Sequence, residues 1–436
     1  MDRIISKLLV YGDIDPESIL MKVGEICAEF RSGRYDETDL ITRCYKQTKR
    51  ILEVSTDYGF DRNLWQCYLT FLLITDENPF TLTSEKVGAK DGSVNHFVKN
   101  DYKMFMQLFH YSFKELEEKL GIDCFSTITD YKAIGKPELM YNKNVSEKVN
   151  ELSLKLSMAR NEEEFFTLMT DFYKAYGVGL FGLNKAFRIE KKADGDIYFR
   201  AINNMDKVML CDLIGYEAQK AKLVENTKAF VEGRKANNCL LFGDSGTGKS
   251  TSVKAIVNEF YESGLRMIEI YKHQFKDLSG VIAKIKNRNY RFIIYMDDLS
   301  FEDFEVEYKF LKAVIEGGVE SKPENILIYA TSNRRHLVKE TWKDRDDVEI
   351  NGGLHSSDSM EEKLSLARRF GCTIYYSKPG KNDFDNIVIN LARRNNIDMD
   401  DAKLIAEANK WELSHGGRSG RTAAQFITHL LGQMEN

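Results

Sequence analysis

An α/β fold is predicted: a parallel sheet sandwiched by helices, a helical unit at the C-terminal end, and an α-rich domain in front. Three observations predict it. From about residue 205 short apolar runs alternate with amphipathic ones, which is the pattern of repeated strand-helix units. The run Phe292 to Met296 is apolar at every position, as in a strand covered on both faces of a parallel sheet. Before about residue 180 the apolar residues recur instead at helical spacing.

The N-terminal helices come first. Asp15-Pro16 reads as a cap followed by a first-turn proline. Ile19, Leu20, Val23, Ile26, Cys27 and Phe30 then make one stripe, and Ile41, Cys44, Tyr45, Thr48, Ile51 and Leu52 a second. Leu64 to Thr75 (LWQCYLTFLLIT) is the most apolar stretch; it is far too short to span a bilayer and reads as a buried helix. Asn78-Pro79 breaks the pattern. Gly88 to His96 reads as a loop before an aromatic-rich helix over Tyr102 to Leu116. Asp194-Gly195 between two β-prone runs predicts a hairpin. The expected organisation is an α-rich domain over 1–177, a hairpin and linker over 178–204, an α/β core over 205–378 and a helical unit over 379–436.

Within the core, strands are expected at Asn238 to Gly243, Arg266 to Tyr271, Phe292 to Met296, Ile326 to Ala330 and Cys372 to Tyr376. Helices are expected at Lys249 to Glu262, Phe275 to Arg288 and Glu305 to Glu316, the first stopped by Gly264. After Pro379 three helices follow, roughly Asp383 to Asn395, Asp400 to Leu413 and Arg421 to Met434.

Composition narrows the function classes. The 436 residues carry a formal net charge of -5, which gives no electrostatic reason to expect a nucleic-acid or anionic-membrane partner. The seven cysteines are scattered singly, without a CxxC pair. They read as reduced thiols of a cytoplasmic protein rather than as a disulfide framework or zinc site. The N-terminal apolar run is too short for a signal peptide.

The chemistry is concentrated in three motifs. Gly243-Asp244-Ser245-Gly246-Thr247-Gly248-Lys249-Ser250 matches G-x-x-x-x-G-K-[ST], the Walker A phosphate loop, and lies between an apolar strand and an amphipathic helix. Its backbone N–H groups and the helix N-terminus suit phosphate oxygens. Lys249 is assigned to the β- and γ-phosphates, Ser250 to Mg²⁺ and Thr251 to the neighbourhood of the α-phosphate. The run FIIYM ends in Asp297-Asp298, the Walker B pattern: Asp297 to hold Mg²⁺ through water, Asp298 to polarise the attacking water. Thr331-Ser332-Asn333 ends another apolar strand and sets a water-orienting amide beside the γ-phosphate.

The order of these blocks, followed by Arg368-Arg369-Phe370-Gly371 and a helical C-terminus, resembles the AAA+ ATPases. More narrowly, NCLLFGDSGTGKSTSVKA, YMDDLSFED, YATSNRRHLVKE, KLSLARRFG and GGRSGRTAAQF resemble a bacterial family of AAA+-like ATP-binding proteins known as a domain of unknown function. The likeness covers roughly residues 180–436. It implies a P-loop NTPase fold with a helical lid and Mg²⁺-dependent hydrolysis of ATP to ADP and phosphate. Asn333 would be the sensor-1 residue. Arg369 would be an arginine finger reaching a neighbouring copy in a homo-oligomer. Arg421, or else Arg418, would be the sensor-2 arginine of the lid, and Ile214 and Gly215 would wrap the adenine. The cycle would drive the N-terminal helices against a protein client; a non-hydrolysing ATP switch or scaffold is the alternative. No membrane partner is implied. One departure stands out: AAA+ enzymes usually carry Asp-Glu at the Walker B end and this chain has Asp-Asp. The shorter second acid predicts slow turnover, with Glu302 as a substitute base. The charged segment Val338 to Lys363, with His355, is long for a connection within a compact core.

Overall fold

The computed structural model describes residues 1–134, 143–192, 195–203, 205–301, 307–316, 323–333 and 366–434. They form two compact units, Met1–Asn184 and Lys185–Asn436.

The first unit is helical: α1 (Asp2–Ile5), α2 (Ile19–Ser32), α3 (Glu37–Tyr58), α4 (Leu64–Thr75), α5 (Pro79–Val87), α6 (Val94–Phe109), α7 (Lys114–Leu120), α8 (Cys124–Thr129), α9 (Lys143–Ser157), α10 (Glu162–Tyr176) and α11 (Leu180–Leu183). The expected Asp15-Pro16 cap is displaced. Asp15 holds a local turn through the Glu17 N–H, and Ser18 caps α2 by accepting from Met21 N–H. Asn78 caps α5 with Pro79 in its first turn. Most of α4 is buried, and its Trp65 Nε1 donates to Leu108 O at 2.8 Å. The aromatic-rich helix differs from expectation. It begins at Val94, inside the segment read as a loop, and stops at Phe109, before α7 starts at Lys114. Tyr111 and Phe113 turn into the core between the two, which a continuous helix would not allow.

The second unit contains β1 (Ala186–Lys191), β2 (Ile197–Ala201), α12 (Glu217–Val231), β3 (Cys239–Gly243), α13 (Lys249–Phe260), β4 (Leu265–Glu269), α14 (Leu278–Ile285), β5 (Arg291–Met296), α15 (Glu307–Glu316), β6 (Ile326–Ser332), β7 (Cys372–Tyr376), α16 (Lys381–Arg394), α17 (Asp401–Ser414) and α18 (Gly420–Met434). The seven strands form one sheet in the order β2-β1-β4-β5-β6-β3-β7. Every pairing is parallel except the hairpin β1–β2. That hairpin continues the core sheet, because β1 pairs with β4. At the other edge α12 covers β7: Gln219 and Lys222 donate to the carbonyls of Tyr375 and Thr373, occupying acceptors an edge strand would otherwise offer to another chain.

Parallel order aligns the C-terminal ends of β3, β5 and β6 on one side of the sheet, where ligands bind in open α/β folds. β6 runs two residues further than expected, through Thr331 and Ser332, because these pair in register with Leu241 and Phe242 of β3; the Thr331 carbonyl also accepts from Leu299 N–H at 2.7 Å. The helix expected from Phe275 instead opens with a 3-10 turn over Lys272–Asp277, held where Gln274 bonds the Tyr271 N–H and the Ile189 carbonyl. Helices α16–α18 pack around their own core of Phe384, Val388, Leu404, Ala408 and Phe426. Among the described residues no helix is long and apolar enough to cross a membrane.

Candidate functional site

β3 leads into the loop Gly243 to Gly248, and α13 starts at Lys249. The entry is tight: Asp244 N–H donates to Tyr376 O at 3.0 Å, and a Cβ on Gly243, whose φ is 134°, would lie 2.1 Å from that same oxygen. Only glycine fits there. The Lys249 ammonium curls back over the loop, donating to Gly243 O at 3.0 Å, Asp244 O at 2.6 Å and Asn333 Oδ1 at 3.1 Å. Burial lowers its pKa, with the nearby Asp244, Asp298 and Asp297 opposing that shift.

The two acids follow β5. Asp297 Oδ1 accepts from Ser250 Oγ at 2.7 Å, Tyr295 OH at 2.6 Å and Thr331 Oγ1 at 2.6 Å. Burial works against its charge, but these hydroxyls outweigh it and hold the carboxyl below its ordinary range. Asp298 takes a left-handed backbone, φ 48°, tolerated because its N–H donates to Thr331 Oγ1 at 2.9 Å and Asn333 Nδ2 donates to its Oδ1 at 2.8 Å. The turn past the strand end, with its left-handed Asp298, points the two acids at different partners: Asp297 at Ser250, Asp298 at Asn333.

These groups form the polar end of a cavity of about 710 Å³. Its apolar end is made by Val208, Leu213, Ile214, Tyr216, Ile387 and Leu391. Ile214 packs against the helices that follow β7, whereas Leu213 and Tyr216 pack against the sheet's core. The C-terminal helices close the cavity from one side. Arg421 N–H donates to Gly246 O at 3.2 Å, and the Arg394 guanidinium grips the carbonyls of Cys211 and Asp212 at 2.5 and 3.0 Å.

Of the residues singled out in the sequence, Ser245, Gly246, Thr247, Gly248, Lys249, Ser250, Thr251, Ile214, Asp297, Asp298, Asn333 and Arg421 all line this cavity. Gly243 and Asp244 stand behind it as acceptors for Lys249. Gly215, with φ 79°, turns the chain between two lining residues. Arg418 points elsewhere and pairs with Glu412 at 3.3 Å. Arg369 does not line the cavity. It precedes β7, at the end of the sheet away from the loop, since Cys372 pairs with Cys239 and Tyr376 with Gly243. Glu302 and the segment Val338 to Lys363, with His355, lie outside the described residues. Sequence reasoning missed Tyr295, although a hydroxyl-bearing residue in an otherwise apolar strand, two positions before an acid, is a readable signal. Val208, Ile387 and Leu391 carry no such signal, because only folding brings their segments together.

The loop between β3 and α13, the acid-bearing strand one place beyond β6, and the three closing helices make this unit a P-loop NTPase fold of AAA+-like type, with α16–α18 as its lid. No curated protein matches the chain. Among solved structures, two point mutants of RuvB from Thermotoga maritima are 15% and 17% identical over 50% of this chain, with TM-scores of 0.35 and 0.36. A third, the Thermotoga maritima RuvB Holliday junction branch migration motor, is 15% identical over 52% of this chain and 72% of its own, with a TM-score of 0.33. The match spans 63% and 64% of the two mutants' chains, under two thirds of their length. The family described as "Protein of unknown function (DUF815)" matches residues 183–434, more than half of the chain, and the protein belongs to that family.

Proposed function

We propose that the chain binds ATP with Mg²⁺ and hydrolyses it to ADP and phosphate, and that the cycle drives the N-terminal helical unit against a protein client. One observation carries the reading. Lys249, Ser250, Asp297, Asp298 and Asn333 converge at the mouth of a glycine loop, at the polar end of a cavity whose other end is apolar. A triphosphate suits the first end and a base the second.

The donor set fits the ligand. The loop has no room for a side chain at Gly243, its N–H groups and the α13 N-terminus suit phosphate oxygens, and Lys249 supplies a positive charge. Ser250 and Asp297, 2.7 Å apart, are hard oxygen donors of the kind Mg²⁺ takes, with water completing its shell. Bound there, the cation would offset the charge of the phosphates. Asp298 is the proposed general base, Asn333 the amide that orients it and the water, and Glu302 its substitute. Thr251 is assigned to the α-phosphate, Ile214 and Gly215 to the adenine, and Arg421 to lid closure. Arg369, remote from its own cavity, would complete a neighbour's site in a homo-oligomer.

The test measures fluorescent ATP binding and phosphate release for the wild type and Lys249→Ala. Loss of binding in the variant is expected, and retained affinity would sink the reading. A switch without turnover is favoured by one feature, the short Asp298 side chain already tied to Asn333. Mg²⁺-dependent binding without phosphate release would select it. If Arg369 works across subunits, mixing Arg369→Ala with Lys249→Ala chains restores part of the turnover.

A further inference from the structure

β5 reads RFIIYM, and Tyr295 is its one hydroxyl-bearing residue. The side chain is 1% exposed. A buried phenol costs free energy unless its hydroxyl is partnered, and phenylalanine would fill nearly the same space. The hydroxyl donates to Asp297 Oδ1 at 2.6 Å. Tyr295 lies just before β5 ends at Met296, and Asp297 is the first residue past it, so the phenol reaches the acid across a single intervening residue. Across the sheet Tyr295 pairs in register with Tyr329. That second phenol turns away, to Thr227 at 2.8 Å and Asn226 at 3.1 Å on α12. The two tyrosines therefore do different work: one ties a helix to the sheet, the other serves the acid.

Thr331, two residues beyond Tyr329, adds a further donor to Oδ1 at 2.6 Å, and Ser250 a third at 2.7 Å. A carboxylate oxygen has about two lone-pair sites, so Oδ1 is saturated and Oδ2 is the oxygen left to face a hydrated cation. Ser250 is itself an assigned cation ligand and can exchange Asp297 for the metal. Tyr295 and Thr331 belong to the sheet and stay.

We propose that Tyr295, with Thr331 beside it, is a positioning residue for the metal end of the site. Its phenol holds the Asp297 carboxylate with one oxygen turned to the cation, and so sets affinity for the divalent ion and not for the nucleotide. The inference rests on the nucleotide reading above.

The experiment titrates a fluorescent ATP analogue into wild type and Tyr295→Phe, first in EDTA and then across a Mg²⁺ series. Groups that orient a metal ligand are commonly worth about 10- to 100-fold in metal affinity. The expected result is a half-saturating Mg²⁺ raised about 10-fold or more, with metal-free nucleotide affinity within about twofold of wild type. Thr331→Ser, which keeps the hydroxyl, should keep the wild-type midpoint. Should Tyr295→Phe not fold, Thr331→Val removes the other buried donor and is expected to shift the midpoint in the same direction. An unchanged midpoint in the folded variant overturns the inference and leaves the nucleotide reading standing. Equal losses with and without metal also overturn it, since they make the phenol a packing element. A wild type that binds no nucleotide at all overturns the nucleotide reading itself, and the EDTA arm identifies that case.

Discussion

Asn333 donates its amide N–H to the Asp298 carboxylate at 2.8 Å while its carbonyl oxygen accepts from the Lys249 ammonium at 3.1 Å. A primary amide carries both a donor and an acceptor, so one neutral side chain steadies a negative and a positive group together. An aspartate there would set a second carboxylate against Asp298, and a leucine would leave both charges without this partner.

The first prediction follows from that bridge. Asn333→Ala should lower kcat about 100- to 1000-fold, the usual scale for removing one oriented polar group near a reacting centre. KM should stay within about threefold, because Lys249 keeps its two carbonyl partners in the loop. Steady-state phosphate release checks it; an undiminished kcat would remove Asn333 from the mechanism.

A second prediction concerns the loop's entry. Gly243→Ala must push Cβ into Tyr376 O, 2.1 Å away, at a φ of 134° that L side chains rarely adopt. The obstacle is sheet backbone and cannot swing aside, so the expected destabilisation is about 3 kcal/mol or more. Gly432→Ala is the control. It lies within α18 with nothing inside 4 Å of the added methyl, and should stabilise by up to about 1 kcal/mol. Chemical-denaturation midpoints of the two variants should move in opposite directions.

Two lid arginines separate in a third test. Arg421 lines the cavity and its N–H is tied to Gly246 O, whereas Arg418 pairs with Glu412. Arg421→Ala should weaken ATP-analogue binding about tenfold, the equivalent of one charge-assisted hydrogen bond. Arg418→Ala should leave it within about twofold. Equal losses would mean that the lid acts as a whole and that neither side chain is specific.

What could be read in advance depended on the distance over which each signal acts. The loop and both acids were legible because a glycine run, a lysine and a strand-ending Asp-Asp are local, and parallel strands deliver such ends to one side. A helix was legible where an apolar run is unbroken, as over Leu64–Thr75, whereas Asn78-Pro79 read only as a break and in fact caps and opens α5. Helix boundaries slipped at His110 to Phe113, where tertiary burial of Tyr111 and Phe113 overrides helical periodicity. The apolar end of the cavity was only half visible. Ile214 sits in a recognisable stretch, but Val208, Ile387 and Leu391 become neighbours only when the lid folds back over the sheet. The continuation of the core sheet into β1 was hidden for the same reason, since a hairpin signal says nothing about what lies beyond its outer strands.

The last prediction is a pH dependence at Asp297. Burial alone would raise its pKa, but Thr331, Tyr295 and Ser250 hydroxyls stabilise the ionised form and bring it below the ordinary 3.8. A carboxyl with a depressed folded-state pKa binds fewer protons folded than unfolded across the interval between the two values. Its contribution is therefore fully present above 3.8 and is lost as pH falls through the lower, folded-state value. Asp297→Asn cannot ionise and has no such dependence. Denaturation midpoints measured from pH 7 down to about 3 should show the wild type losing stability more steeply than the variant below about pH 4. The gap between the two should be constant from pH 7 to 5. If it narrowed already in that upper range, the carboxyl would be titrating near or above its ordinary value, and the three hydroxyls would not be holding it ionised.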